Sequence, residues 1–266
     1  MTPRSLFSLP PLWREGRLGI EVASLLRDPI YRGDGVADGG GQPILLIPGF
    51  LAGDDSLGLM TRWLRRTGHR TRKAGMRWNV DCAAAAMSRL EERLEEMAEQ
   101  RGEKVAVIGQ SRGGHFAKGL GVRRPDLVSG VVSLGAPQLD PLAIHPLVLA
   151  QVIAVGALGT LRVRGLFSRS CRSGECCESF WEDLSKPVPS EVAYLSIYSR
   201  NDGIVDWRAC LDDGAALVEI DSSHCGMAVH PDAYRAIAAA LAEFRERPAR
   251  RARRALRSQQ PLRRAA

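Results

Sequence analysis

The run Val105-Ala106-Val107-Ile108-Gly109-Gln110-Ser111-Arg112-Gly113-Gly114 most restricts how this chain can fold. An apolar, β-branched stretch ends in Gly-x-Ser-x-Gly, and a helix-like segment from His115 to Val122 follows at once. Strand, sharp turn and helix in that order would expose a serine side chain at the end of a buried strand. A serine on so sharp a turn is held in a strained backbone conformation. Side chains at 109 and 113 would crowd the turn, which gives both glycines a steric task. A five-residue pattern alone carries little; the strand before it and the helix after it turn Ser111 into a candidate nucleophile.

Around this run the chain alternates between strands and helices. Strands are expected at Ile44–Ile47, His69–Lys73, Lys104–Gly109, Leu127–Leu134, Ala193–Tyr198 and Ala216–Ile220. Helices are expected at Leu57–Thr67, Asp81–Arg101, His115–Val122 and Pro231–Glu246, the second ending at Gly102. That alternation predicts an α/β fold with a mainly parallel sheet and right-handed connections. The regularity breaks between residues 138 and 190. Pro141 to Leu161 holds 21 residues without a charge, long enough to be weighed as a membrane span. Its prolines, histidine, glutamine and glycines, set inside an α/β pattern, favour an inserted helical cap. Residues 1–42, with Trp13 and a glycine-rich loop at 33–41, read as a lead-in packed on the domain edge. The loop precedes a strand and so is no dinucleotide fingerprint.

The net charge of +7 belongs to the tail. Eight arginines and no acid lie from Arg247 onward, and removing them leaves the body at −1. Residues 247–266 therefore read as a basic, disordered, solvated tail, with weak contact to an anionic surface as its alternative role. Residues 1–12 hold no apolar stretch of signal-peptide length, which favours a cytoplasmic location.

Ser111 needs a histidine to take its proton and a carboxylate to fix that histidine's tautomer. Of five histidines, His224 has the fitting place, in the loop Asp221-Ser222-Ser223-His224-Cys225-Gly226 after a strand. His69 precedes the nucleophile, His115 would line the pocket or pack, His145 lies in the cap, and His230 precedes a helix. The acid is read as Asp202, in Asn201-Asp202-Gly203-Ile204-Val205 at the end of the preceding strand, with Asp206 in reserve. Oxyanion donors are read as the backbone amides of Arg112 and of Phe50 in Pro48-Gly49-Phe50, with Leu51 as the alternative to Phe50. Substrate contacts are expected from Leu51, His115, Leu147 and Ile153. Leu149, Val152 and Leu158 are expected to line the cap as well.

With Pro48-Gly49-Phe50, Gly109-Gln110-Ser111-Arg112-Gly113, Asn201-Asp202-Gly203-Ile204-Val205 and Ser223-His224-Cys225-Gly226 in place, the chain resembles an α/β-hydrolase of the bacterial esterase and lipase type. The resemblance spans roughly residues 43–245, within an expected hydrolase domain of residues 43–246. It implies ester hydrolysis through an acyl-enzyme, with no metal and no organic cofactor; the apolar cap at 141–161 adds the expectation of a small ester with a hydrophobic acyl group. Two positions depart from the usual pattern: Pro48 stands where the oxyanion loop has histidine, and Gln110 stands where histidine often precedes the nucleophile. An acyltransferase using the same residues, or a catalytically silent binding protein, are the alternative readings. Cys171, Cys176 and Cys177 lack a fourth ligand and a common zinc spacing, so buried thiols or a local disulfide are expected. A Cys210–Cys225 disulfide would stiffen the His224 loop.

Overall fold

The computed structural model describes residues 10–174 and 176–259. The described chain forms a six-stranded sheet: β1 (Pro43–Ile47), β2 (Arg70–Lys73), β3 (Val105–Gln110), β4 (Val128–Leu134), β5 (Ala193–Tyr198) and β6 (Ala216–Glu219). They lie in the order β2-β1-β3-β4-β5-β6, and every neighbouring pair is parallel. Each strand falls within a residue or two of its expected place.

The helices are α1 (Leu18–Arg27), α2 (Pro29–Arg32), α3 (Gly58–Arg66), α4 (Ala83–Arg101), α5 (Arg112–Arg123), α6 (Pro146–Thr160), α7 (Arg169–Ser173), α8 (Glu178–Ser185) and α9 (Pro231–Gln259). Strands β1 and β3 are buried along their whole length, because helices cover both sheet faces. Strict alternation still sorts their side chains. Ile44, Leu46, Ala106 and Ile108 pack with Leu25, Trp63 and Tyr234, whereas Leu45, Ile47, Val105 and Val107 pack with Met87, Leu90 and Phe116. On the first face the rings of Trp63 and Tyr234 lie 4.5 Å apart, and the Trp63 indole donates to the Ile30 carbonyl at 2.8 Å.

Between β4 and β5 the chain leaves the sheet and forms α6, α7 and α8. The uncharged stretch divides at His145, whose ring accepts from the amide of Leu147 at 3.2 Å and caps α6. Pro146 takes the first helical position, where its missing N–H costs nothing. Among the described residues no helix is long and apolar enough to cross a membrane. The closing helix α9 runs past Glu246, where the sequence had ended it, to Gln259. It thus takes in the first part of the expected tail, and residues 260–266 lie outside the described residues.

Candidate active site

Strand β3 delivers Ser111 at φ 52° and ψ −122°, a strained conformation for a residue with a side chain. Its amide donates to the Leu134 carbonyl at 2.7 Å, and its carbonyl accepts from Gly114 at 2.8 Å. The flanking glycines are steric necessities. A Cβ at Gly109 would sit 2.1 Å from the Gly113 carbonyl oxygen, and one at Gly113 would sit 2.2 Å from that of Ile47. The turn therefore closes only because neither residue has a side chain. Gly49 is the third close approach: a Cβ there would lie 3.3 Å from that of Ser111, so the β1 loop passes directly beside Ser111.

Asp202 and His224 come together from the loops after β5 and β6. His224 Nδ1 lies 2.7 Å from Asp202 Oδ2, and both side chains are buried. The other Asp202 oxygen accepts from the amides of Ile204 at 2.8 Å and Val205 at 2.7 Å, which fixes the carboxylate's orientation. Burial pulls the His224 pKa down, but the charge and hydrogen bond of Asp202 outweigh it and leave the imidazole above its ordinary value. The His224 loop is tied to β3 by Gln110, whose Nε2 donates to the His224 carbonyl at 3.3 Å. Asp206, the reserve acid, is engaged elsewhere: it caps the short helix Trp207–Cys210 by accepting from the Arg208 amide at 3.0 Å.

Phe50, Ser111, Arg112 and His115 line one apolar cavity together with residues of the β4–β5 excursion. Arg112 is the first residue of α5, where a helix leaves its amides without intrahelical partners. Its side chain has a task the sequence did not disclose. The guanidinium donates to the carbonyls of Asn79 at 2.8 Å and Asp81 at 2.6 Å, and lies 5.3 Å from the centroids of both Phe116 and Phe167. It thereby ties the loop after β2 to the nucleophile helix. His115 lies on the first turns of α5. It lines the cavity and packs, with Nε2 3.3 Å from the Pro137 carbonyl, and burial pushes its pKa down to about 4.

The cap contacts need correction. Leu147 and Ile153 are 59% and 45% exposed, Leu158 also faces solvent, and Leu51 lies outside the cavity lining at φ 58°. Of the expected cap residues Val152 does line the cavity, and Val148 of α6 joins it, with Leu142, Ile144, Phe167 and Trp181 completing that wall. A helix apolar on nearly every side gives no polar stripe from which to read its inner face.

Two residues of the lead-in reach the site and were not anticipated. Glu15 accepts from the amides of Gly203 at 3.0 Å, His224 at 2.8 Å and Cys225 at 2.9 Å, joining the Asp202 loop to the His224 loop. Glu21, which is buried, accepts from the Ser223 amide at 2.7 Å and the Ser223 hydroxyl at 2.6 Å. These partners lie about two hundred residues apart in sequence, and a single glutamate on a short amphipathic segment carries no local mark of them.

The cysteine reading also changes. Cys82, at the start of α4, brings a fourth thiol to Cys171, Cys176 and Cys177, and the four sulfurs all lie within 4.8 Å of one another. Cys171 borders the apolar cavity. Cys210 and Cys225 are both free, the first buried and the second exposed.

No family model matches the chain, and no curated protein matches it in sequence. Its likeness is to solved structures. The mature form of Bacillus licheniformis lipase BlEst2 aligns with TM-score 0.58 at 15% identity, over 77% of this chain and 94% of that one. A soluble variant of monoglyceride lipase from Saccharomyces cerevisiae aligns at 0.54 and 14%, over 79% and 88%. Tomato methylketone synthase I aligns at 0.52 and 11%, over 77% and 98%. The chain has the α/β-hydrolase fold. The names of these three neighbours describe more than one chemistry, so the reaction has to be argued from the site.

Proposed function

We propose that the chain is a serine hydrolase that cleaves small carboxylic esters through an acyl-enzyme on Ser111. The observation that carries this reading is the buried His224–Asp202 pair, joined at 2.7 Å, on the loop that Gln110 ties to the nucleophile's turn. In this mechanism Ser111 Oγ attacks the ester carbonyl while His224 Nε2 takes its proton. Asp202 holds the Nδ1–H tautomer and stabilises the imidazolium. The amides of Phe50 and Arg112 receive the developing oxyanion. Collapse of the tetrahedral intermediate expels the alcohol, which leaves with the proton from His224, and water activated by the same histidine releases the acid.

Specificity for a hydrophobic acyl group follows from the cavity wall. Val148, Val152, Phe167 and Trp181 offer no charge to the acyl chain, and each methylene buried there stabilises the complex by about 0.8 kcal/mol, or about fourfold. On p-nitrophenyl esters from acetyl to octanoyl, kcat/KM should climb until the cavity is filled. Ser111→Ala should lose on the order of 10⁴-fold or more across the series. A flat series would remove the acyl preference, and a fully active Ser111→Ala would remove the assignment.

A further inference from the structure

We propose that Cys82, Cys171, Cys176 and Cys177 form a tetrathiolate site for one zinc ion, which pins α7 and α8 to the start of α4. The sulfur of Cys82 lies 3.5 Å from that of Cys177 and 3.9 Å from that of Cys176. Cys176 is in turn 3.6 Å from Cys177 and 3.1 Å from Cys171. Zinc bound to four thiolates at about 2.3 Å in a tetrahedron places its sulfurs about 3.8 Å apart. The four thiols are thus gathered around the volume of a single ion, too tightly to enclose an iron–sulfur cluster.

Their surroundings suit a thiolate set. Cys82 is the N-cap of the 19-residue helix α4, so the N-terminal end of that helix adjoins the group. Ser168 lies beside Cys171, its hydroxyl 3.6 Å from that sulfur. Four thiolates around Zn²⁺ carry a net charge of −2. The buried guanidinium of Arg112 lies within electrostatic reach of Cys82, Cys171 and Cys177 and offsets part of it. Loading the site releases four thiol protons to solvent as four Zn–S bonds form, without oxidation or reduction.

The ion has a mechanical reason to be there. Helices α7 and α8 are five and eight residues long, too short to persist by their own hydrogen bonds. They nevertheless supply Cys171 and Trp181 to the wall of the active-site cavity, and the Trp181 indole donates to the Cys171 carbonyl at 3.2 Å. A metal holding Cys171, Cys176 and Cys177 against Cys82 fixes that wall to the body of the domain.

The test is metal analysis of the full chain purified without chelators from zinc-supplemented medium. About one zinc per chain is expected, in wild type and equally in Ser111→Ala, so the result is independent of whether the protein is a hydrolase. Cys82→Ser should lose the zinc. Cobalt(II) exchanged into the wild-type protein should give the intense visible bands of a tetrahedral tetrathiolate, a reading that does not depend on how the variant folds. Zinc-free wild-type protein with these thiols open to Ellman's reagent would overturn the proposal. So would a mass lowered by disulfide formation among them, iron in place of zinc, or undiminished zinc in Cys82→Ser.

Discussion

His224 links structure to pH. Burial would lower its pKa, and Asp202, by charge and hydrogen bond, more than compensates, so the folded value lies above the ordinary 6.5. In the proposed mechanism it acts as general base and must be neutral. The acidic limb of kcat/KM should therefore fall away as pH drops through a value above about 6.5. Stability runs the other way. A raised folded pKa means that the charged His224–Asp202 pair contributes stability fully below about pH 6.5 and loses it as pH rises through the folded value. Activity and this part of stability thus move in opposite directions across one window. Asp202→Asn should shift the acidic limb downward and cut kcat by roughly 10⁴-fold. A pH–rate profile that Asp202→Asn leaves in place would show that the pair does not govern the base.

At the level of elements, the short helix Leu12–Arg17 acts as a buckle. Through Glu15 it accepts three amides from the two loops that carry Asp202 and His224, and hydrogen bonds to a charged acceptor contribute roughly 1.5–3 kcal/mol each. Glu15→Ala should let those loops drift, lowering kcat by up to about a hundredfold at nearly constant KM. Glu15→Gln, which keeps one carbonyl acceptor, should recover part of the loss. Unchanged kcat in Glu15→Ala would mean that the loops hold themselves. The helix α6 teaches a different lesson. Leu147 and Ile153 are larger than Val148 and Val152, yet the helix turns the two valines, of which only Val152 is expected from the sequence, toward the cavity and leaves the larger pair exposed. Size does not tell the buried face of a helix that lacks a polar side.

For the molecule as a whole, the site sits where a parallel sheet places it. Strand order reverses between β1 and β3, and the loops after those two strands carry Phe50 and Ser111. The sheet and the Ser111, Asp202 and His224 positions were legible in the sequence because each depends on local signals: apolar runs, glycine turns and loops after strands. What could not be read were long-range meetings. Cys82 and Cys177 are 95 residues apart, and Glu15 and His224 are 209 apart. Nothing near either end of such a pair marks the other, and only the folded sheet brings them together. The central claim, that Ser111 is a nucleophile activated by His224, is met most directly by treating the protein with a fluorophosphonate and mapping the adduct by peptide mass. A single adduct on Ser111, formed in wild type and lost in both Ser111→Ala and His224→Ala, is the predicted result. Wild-type protein that stays unlabelled, or that carries its adduct on another residue, would contradict it.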